Sequence, residues 1–434
     1  MKYLDVHNVE YGECIVLGGS KSEILMVDCG SMNLKIREGN VDFTDYVRSG
    51  IMKRYADAES RAFLLTHCHR DHICGFWQIL SADPGYFDRV YLPAAPRDKD
   101  GRPLLLEFAL YVFAFLNRLT GYTKANAGEV RLFSRAARAA GPERVFPVKG
   151  GDTFQFDGTE YEILWPRPEG YPFSAALREL VEKADSLLSA PFLPADAEDF
   201  LLLKRRICSA YLACCARSPL AREDLAELER LCGRLEDLLP RLALLPAARE
   251  VMELLSAPEA RDEYSDSLNA ASVIFQNRRE GGAGFGDILM TGDALPQSIG
   301  AVKDLLYDGY FLLKAPHHGT AGAFSPLFTE LAAAHIVISN GDYRSGGGVD
   351  PRYAGLPGVK HCTNRSACAR YREIGSSCGR FSCCWEQPRP GALAVKCPAN
   401  APGALLPPCG VRVVSPLGAR ACLCDLPPQR ELFP

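Results

Sequence analysis

The chain has 434 residues, 47% of them hydrophobic, and its 49 basic and 53 acidic residues give a formal net charge of −4. This length and composition allow a sizeable core and two or three structural units. The charge excludes a general attraction to nucleic acid, so binding to DNA or RNA would need bound metal ions or a local patch such as Lys204-Arg205-Arg206.

The N-terminus and the cysteines bear on the compartment in which the protein works. The first residues, MKYLDVHNVEYGE, contain no apolar stretch of signal-peptide length. The most apolar segment, Leu104 to Leu116, contains Glu107 and is far shorter than the ~20 residues that span a bilayer. Seventeen cysteines without a secretion signal favour reduced thiols over a disulfide scaffold. We therefore expect a cytoplasmic protein without membrane helices.

Two apolar segments in the first part of the chain predict short strands that end in polar residues. Residues 24–27 lead into Asp28, and residues 62–65 lead into the sequence THCHRDH at 66–72. The second strand end places three imidazoles and one carboxylate within six positions. Imidazole nitrogen and carboxylate oxygen are ligands that zinc, manganese and iron(II) accept. A solvated polar loop is the alternative interpretation.

The spacing within this sequence favours two metal ions over one. His67 and His69 lie two positions apart and can point together at one metal. Asp71 and His72 project differently and suit a second metal. The cluster therefore predicts a dinuclear site.

The middle of the chain alternates between predicted helices and strands. Helices are expected at about 103–118 and 127–140, and strands at 151–158, where Asp157-Gly158 marks a hairpin, and 161–166. From 172 to 262 the character becomes helical, and leucines recur at helical spacing behind Ser218-Pro219, at Leu225, Leu228, Leu231, Leu235 and Leu238. This pattern predicts an inserted helical unit whose leucines form a core. The alternative is that the leucine stripe forms a dimerisation surface or a lid over the substrate site.

Further strand ends follow the helical segment. Residues 287–292 form an apolar strand that ends at Asp293, and residues 311–316 form one that ends at His317 and His318. A single Asp after an apolar strand is more often a turn residue than a ligand. Four strand ends that carry His and Asp in one chain are harder to obtain by chance.

The C-terminal region carries short strands and many cysteines. Residues 391–395 and 410–414 are expected to close the second sheet. Nine of the seventeen cysteines fall from Cys362 onward without paired CxxC modules, so free thiols are expected there.

The HxHxDH pattern after an apolar strand, together with the other three strand ends, resembles the metallo-β-lactamase-fold hydrolases. The resemblance implies an α/β fold, a four-layer αββα sandwich with a helical insertion. Its first half would be 1–171 and its second half 263–400, with the insertion at 172–262, a Cys-rich segment from 362, and a C-terminal strand and tail at 401–434.

The same resemblance implies two divalent metal ions, Zn2+ or Mn2+. It assigns as ligands His67, His69, Asp71, His72, Asp293 and one or both of His317 and His318. Asp28 would orient a ligand rather than bind metal. Asp293 would bridge the ions, and Asp71 would ligate one of them and hold a metal-bound hydroxide toward the scissile centre, so both are assigned catalytic roles.

A narrower resemblance is to the soluble hydrolase domain of ComEC-type competence proteins, which is thought to process DNA during uptake. It covers residues 1 to about 345 with gaps, and it rests on segments at 4–6, 12–17, 267–274, 313–320 and 336–341. The last of the metal motifs, LKAPHHGT, is the most specific of these. It implies a phosphodiester substrate, such as nucleic acid or a nucleotide.

One departure from the family pattern concerns the interval between His72 and His317, which contains no histidine. Most members of the family place a further ligand there, whereas ComEC-type domains have an Asn/Ser segment, here Asp266, Asn269 or Ser272. The first metal would then have a more oxygen-rich ligand set, which favours Mn2+ over tightly held Zn2+. His7 could fill the gap, although a surface or strand-edge position is expected for it.

The leading functional hypothesis is a phosphodiesterase that uses a metal-bound hydroxide, with help from Lys314 or Thr320. Lys314 is otherwise expected to be an ordinary solvated residue. The enzymatic alternative is hydrolysis of another ester, such as a lactone, thioester or phosphorylcholine ester. The non-enzymatic alternative is a weak-metal binding or regulatory module. The sequence predicts no oligomeric state.

Overall fold

The computed structural model describes residues 1, 3–19, 22–36, 41–116, 129–190, 194–279, 287–341 and 348–363, and the backbone of 410–414 and 419–422. The chain divides into two compact units. The first comprises Met1–Arg89, Gly151–Trp165 and Ser272–Pro434, and the second comprises Val90–Gly150 and Pro166–Ala271. This division groups 90–150 with the helical residues, whereas the sequence placed them in the first half of the sandwich. The expected boundaries after 171 and 262 remain predictions.

The structure contains strands and helices in both units. The strands are β1 (Tyr3–His7), β2 (Ile15–Gly18), β3 (Glu23–Val27), β4 (Lys35–Ile36), β5 (Val41–Asp42), β6 (Ser60–Leu64), β7 (Arg89–Pro93), β8 (Val145–Val148), β9 (Thr153–Phe156), β10 (Thr159–Trp165), β11 (Ile274–Asn277), β12 (Ile288–Met290), β13 (Gly309–Lys314), β14 (Ala332–Ile338), β15 (Val359–Cys362), β16 (Gly410–Val414) and β17 (Ala419–Cys422). The helices are α1 (Phe43–Asp45), α2 (Arg70–Ala82), α3 (Leu104–Phe115), α4 (Leu132–Ala140), α5 (Ala175–Leu188), α6 (Ala195–Ala216), α7 (Arg222–Leu242), α8 (Ala248–Ser256), α9 (Pro258–Ala270), α10 (Pro296–Ala301) and α11 (Arg352–Gly355).

The first sheet of the first unit has the order β17-β16-β1-β2-β3-β6. Its strands pair antiparallel except for β3 and β6, which run parallel with Val27 opposite Leu64. The carboxyl ends of parallel neighbours lie at the same edge of a sheet. Asp28 and Thr66 therefore emerge side by side.

The second sheet has the order β15-β14-β13-β12-β11-β10-β9. The strands β9 to β12 pair antiparallel, and the expected hairpin joins β9 to β10 through Asp157 and Gly158, both with positive φ. The strands β12 to β15 run parallel, with Leu289 opposite Leu313. This register brings the ends of β12 and β13 to one edge, where Asp293 and the His317-His318 pair follow.

Two mixed sheets and flanking helices make this an α/β protein, as the sequence predicted, and they are consistent with a metallo-β-lactamase-like sandwich. The expected closing strand at 410–414 is present as β16, but it pairs with β1 in the first sheet rather than closing the second. The expected strand at 391–395 and all cysteines beyond Cys362 except Cys422 lie outside the described residues, and the side chain of Cys422 is not described either.

The second unit is mainly helical. The leucine stripe predicted at 225–238 lies on α7, and all five leucines are buried, which confirms that they belong to a core. Lys204 is buried on α6, so it does not belong to an exposed basic patch as the sequence suggested. Among the described residues, no helix combines the length and the apolar character needed to traverse a bilayer.

Candidate metal centre

The carboxylate of Asp28 organises the two strand ends of the first sheet. It accepts hydrogen bonds from the backbone N and the Oγ1 of Thr66, each at 2.7 Å, and it lies 2.7 Å from Nδ1 of His72. Asp28 is fully buried and holds a positive φ of 56°. Such a backbone conformation is uncommon for a residue with a side chain and often marks a functional site. The placement is the one expected of a group that orients a ligand.

His72 and Asp71 lie in the first turn of α2, which begins directly after His69. Gly30 permits this position, because a Cβ there would come within 2.6 Å of the backbone of residues 70 to 72. With Nδ1 of His72 engaged by Asp28, its Nε2 faces Oδ2 of Asp293 at 3.1 Å. Only Nε2 of His72 is therefore presented to the centre of the site.

His67 is held by two hydroxyl groups. Its Nδ1 lies 3.1 Å from the Oγ atoms of both Thr66 and Ser272, and its Nε2 lies 2.9 Å from Nδ1 of His69. Ser272 also accepts a hydrogen bond from the backbone N of Asp293 at 3.1 Å. Ser272 therefore contacts two predicted ligands, His67 and Asp293.

His318 is the more central of the paired histidines. Its Nδ1 lies 3.0 Å from the carbonyl O of Ser339, and its Nε2 lies 3.2 Å from Oδ2 of Asp71 and 3.4 Å from Oδ2 of Asp293. His317 is partly exposed, and its Nε2 is 3.9 Å from Asp293. Both histidines have positive φ, at 46° and 56°, so the strand end turns back sharply.

Lys314 is not the solvated residue that the sequence led us to expect. Its side chain is 1% exposed, and its Nζ donates to the carbonyl of Gly292 at 2.6 Å. The same Nζ lies 3.1 Å from Oε2 of Glu13 and 3.5 Å from Oδ1 of Asp293. Glu13 was not singled out as a site residue from the sequence, because its position before β2 gives no sign of a partner three hundred residues away.

Three overlapping groups of side chains could hold a divalent ion. Within each group the ligand atoms lie within 4.8 Å of one another and are buried; the groups are His67–His72–Asp293, Asp71–His72–His318 and Glu13–Asp293–His318. In the described part of the site, four buried carboxylates face a single ammonium, that of Lys314. The four carboxylates are those of Glu13, Asp28, Asp71 and Asp293. This excess of buried negative charge, next to imidazole nitrogens, fits divalent cations.

The pKa shifts agree with a site built for cations. Burial lowers the pKa of His72 and His318, but neighbouring carboxylates outweigh it and raise both pKa values above the ordinary one. Burial lowers the pKa of His67, His69 and His317, so these imidazoles are neutral near pH 7. Burial opposes ionisation of Asp71 and Asp293, yet the imidazoles beside them hold their pKa values well below the usual range.

The structure brings together five of the seven predicted metal ligands. His67, Asp71, His72, Asp293 and His318 belong to the three groups of ligand atoms, whereas His69 and His317 lie beside them. Nε2 of His67 lies 2.9 Å from Nδ1 of His69, so the predicted pairing of these two rings on one ion stays a prediction.

The remaining candidates are placed differently. Thr320 donates its hydroxyl to the carbonyl of His317 at 2.9 Å. Asp266 and Asn269 lie on α9, in the second unit. His7 is buried rather than on the surface, and its two ring nitrogens lie 2.8 and 2.7 Å from the hydroxyls of Tyr46 and Tyr55. With both nitrogens engaged, His7 does not supply the missing ligand.

The comparisons with known proteins assign no family to the chain. No family model and no curated protein match the chain. Among solved structures, a metallo-beta-lactamase family protein from Thermus thermophilus is similar at 15% identity, over 59% of this chain and 80% of that chain, with a TM-score of 0.20. A likeness at this level says nothing about substrate or chemistry. The three groups of buried ligand atoms are what indicates a metal centre in this chain.

Proposed function

We propose that the protein is a metal-dependent hydrolase that cleaves phosphodiesters, with nucleic acid or a nucleotide as substrate. The observation that carries this proposal is the set of three overlapping ligand groups, in which buried carboxylates outnumber buried ammonium groups. Bound in this centre, two divalent ions would supply Lewis acidity, which lowers the pKa of water and neutralises charge on substrate oxygens. We propose a phosphodiester substrate because the motifs of this chain resemble those of ComEC-type domains.

The protein fixes the tautomers of two histidines. An Nδ1–H of His72 donates to Asp28, and an Nδ1–H of His318 donates to the carbonyl of Ser339. In the neutral imidazoles each Nε2 then carries a lone pair directed into the site. This arrangement lets both rings act as ligands without reorganising. Asp71, at the start of α2 with its Oδ2 3.2 Å from Nε2 of His318, would orient an attacking water.

The ligand set also bears on the choice of metal. His72 belongs to two of the three groups but presents only Nε2, so it can serve a single ion. The remaining ligands of the other ion must then be carboxylates, water or substrate. An oxygen-rich ligand set favours Mn2+ relative to Zn2+, which prefers nitrogen and sulfur. We therefore propose that at least one position binds Mn2+.

The experiment that tests this function measures turnover of bis(p-nitrophenyl) phosphate and of labelled single- and double-stranded DNA. Metal-stripped protein would be refilled with Mn2+ or Zn2+ before the assay. We expect Mn2+-dependent cleavage that is lost in Asp293→Asn. Asp287→Asn is the matched control, because Asp287 is a buried aspartate that bonds Asn277 and Arg279. Its activity should be close to that of the wild type.

Two other outcomes would redirect the proposal. Stoichiometric metal binding with no phosphodiester cleavage, but with cleavage of a lactone, thioester or phosphorylcholine ester, would support the alternative ester class. Metal binding without turnover of any ester would support a binding or regulatory module. Activity that survives Asp293→Asn would remove this site from the mechanism.

A further inference from the structure

The Lys314 side chain ends among oxygen atoms inside the protein rather than at the surface. Its Nζ lies within 3.5 Å of the Gly292 carbonyl, Oε2 of Glu13 and Oδ1 of Asp293. At 1% exposure it cannot reach a substrate, so the sequence-based suggestion of direct help to a phosphodiester does not fit its position. A buried ammonium is retained only when it is paired.

Glu13 is the second member of this ion pair. Its backbone N donates to the carbonyl of Asp71 and its own carbonyl accepts from Gly30, each at 2.9 Å, so its main chain is fixed against α2 and the end of β3. Its side chain is buried, and neither carboxylate oxygen receives a hydrogen bond of good geometry from a described residue. Burial accordingly raises the pKa of Glu13 despite the lysine beside it. Among the described side chains, its carboxylate lies closest to the ammonium of Lys314, at 3.1 Å, and to the ring of His318, at 3.6 Å.

The two carboxylate oxygens of Asp293 have different neighbours. Its Oδ2 faces the imidazoles of His72 and His318 at 3.1 and 3.4 Å. Its Oδ1 faces Lys314 at 3.5 Å and accepts no hydrogen bond of good geometry from a described residue. One oxygen therefore points to the proposed metal positions, and the other points to the ammonium.

We propose that Lys314, held in place by Glu13, is a positioning residue that occupies Oδ1 of Asp293 and leaves Oδ2 as its single metal-binding oxygen. This inference rests on the proposed metal-dependent function. The ammonium lies where a cation bound to the Glu13–Asp293–His318 group would lie. Lys314 therefore removes that group from metal binding and limits the centre to the two groups that contain His72.

The experiment compares Lys314→Met, Glu13→Gln and the double variant with the wild type. The readouts are the number of Mn2+ or Zn2+ ions bound and their affinity, measured by competition with a chelator, and the unfolding midpoint of the metal-stripped proteins. We expect Lys314→Met to weaken the affinity for at least one ion by about 10- to 100-fold, as for other groups that orient ligands. Because Glu13 acts through Lys314, the double variant should be no weaker than Lys314→Met alone.

The control is Lys360→Met. Lys360 is a buried lysine on β15 of the same sheet, and its Nζ bonds the carbonyl of Leu356 rather than a predicted ligand. The Lys360→Met variant should be less stable than the wild type and should bind metal with wild-type affinity. If Lys314→Met does not fold, the metal affinity of Glu13→Gln is compared with that of Lys360→Met instead. Glu13→Gln is suitable because it keeps the shape of the side chain.

The outcomes separate this inference from the proposed function. Wild-type protein that binds no metal would overturn both. Wild-type protein that binds metal, with Lys314→Met and Glu13→Gln binding the same number of ions equally well, would overturn the positioning role alone. An additional ion in Lys314→Met would support the part of the proposal that keeps the Glu13–Asp293–His318 group free of metal. Additive losses in the double variant would show that Glu13 acts on the metals independently of Lys314, which also contradicts the proposal.

Discussion

His72 and Asp28 form a buried pair in which Nδ1 of the ring lies 2.7 Å from Oδ2 of the carboxylate. Both side chains are fully shielded from solvent. The opposite ring nitrogen of His72 faces Asp293 at 3.1 Å. The direction in which His72 presents its lone pair is therefore decided by a residue that follows a different strand.

This relationship predicts the effect of Asp28→Asn. The amide keeps the size of the side chain but removes its charge and one acceptor, so His72 loses its fixed tautomer. We expect metal affinity to fall by about 10- to 100-fold, measured by chelator competition. Asp287→Asn serves as the control for loss of a buried carboxylate elsewhere in the same unit. Equal affinities in the wild type and Asp28→Asn would contradict an orienting role.

Ser272→Ala tests whether the Ser272 hydroxyl supports the predicted ligands His67 and Asp293. The hydroxyl of Ser272 lies 3.1 Å from Nδ1 of His67 and accepts from the backbone N of Asp293. Its removal leaves a buried N–H unpaired, which costs about 1–3 kcal/mol in the free energy of unfolding. We expect weaker metal binding as well, because both residues are predicted ligands. Ser298→Ala, at a buried serine on α10, should leave metal affinity unchanged.

The raised pKa values of His72 and His318 predict a pH dependence for the metal-stripped protein. Burial lowers both values, but Asp293 and further carboxylates raise them above the unfolded value of about 6.5. The folded state then binds protons more tightly, so this stabilisation is complete below about pH 6.5 and is lost as pH rises through the folded pKa. The urea midpoint of the metal-stripped protein should fall as pH rises above about 6.5. In Asp28→Asn the midpoint should depend less on pH.

Metal binding should show the opposite dependence on pH. Because a ligand imidazole must be neutral, uptake of the ions by His72 and His318 releases protons. The apparent affinity should therefore rise with pH, and calorimetry in buffers of different ionisation enthalpy should report proton release. Binding that is independent of pH would show that these two rings are not ligands.

A stability prediction concerns a polar network in the second unit. Nζ of Lys204 lies 2.8 Å from Oε2 of Glu107 and 2.6 Å from Oδ1 of Asp185. Removing one partner of a buried ion pair costs about 3–5 kcal/mol, and the partial exposure of Asp185 reduces this, so we expect about 2–3 kcal/mol for Lys204→Met. Arg205→Met, an exposed neighbour on α6, should change stability by less than about 0.5 kcal/mol. An equal effect of both variants would contradict the role of the network.

The sequence was most informative where short strands end in the predicted ligands. Buried runs before Asp28, His67, Asp293 and His317 could be recognised from their apolar character, and parallel pairing then brings their ends to one edge. The hairpin at 157–158 and the leucine core of α7 were likewise predictable, because a turn signal and a helical period are local properties.

The errors arose where an environment depends on distant parts of the chain. His7 was expected at a surface or strand edge, yet its ring nitrogens contact the hydroxyls of two tyrosines that lie 39 and 48 residues later in the chain. Lys314 was expected in solvent, but Glu13 and Asp293 make a buried position tolerable. The strand at 410–414 was assigned to the wrong sheet, because its apolar pattern does not specify its neighbour.

The most direct test of the central claim is the metal content of the wild type and of Asp293→Ala after removal of metals and dialysis against Mn2+ or Zn2+. We expect about two ions per wild-type chain, as for a dinuclear hydrolase, and fewer in the variant at unchanged folding. Wild-type protein that retains no ion, or a variant that retains as many as the wild type, would contradict a metal centre at this cluster.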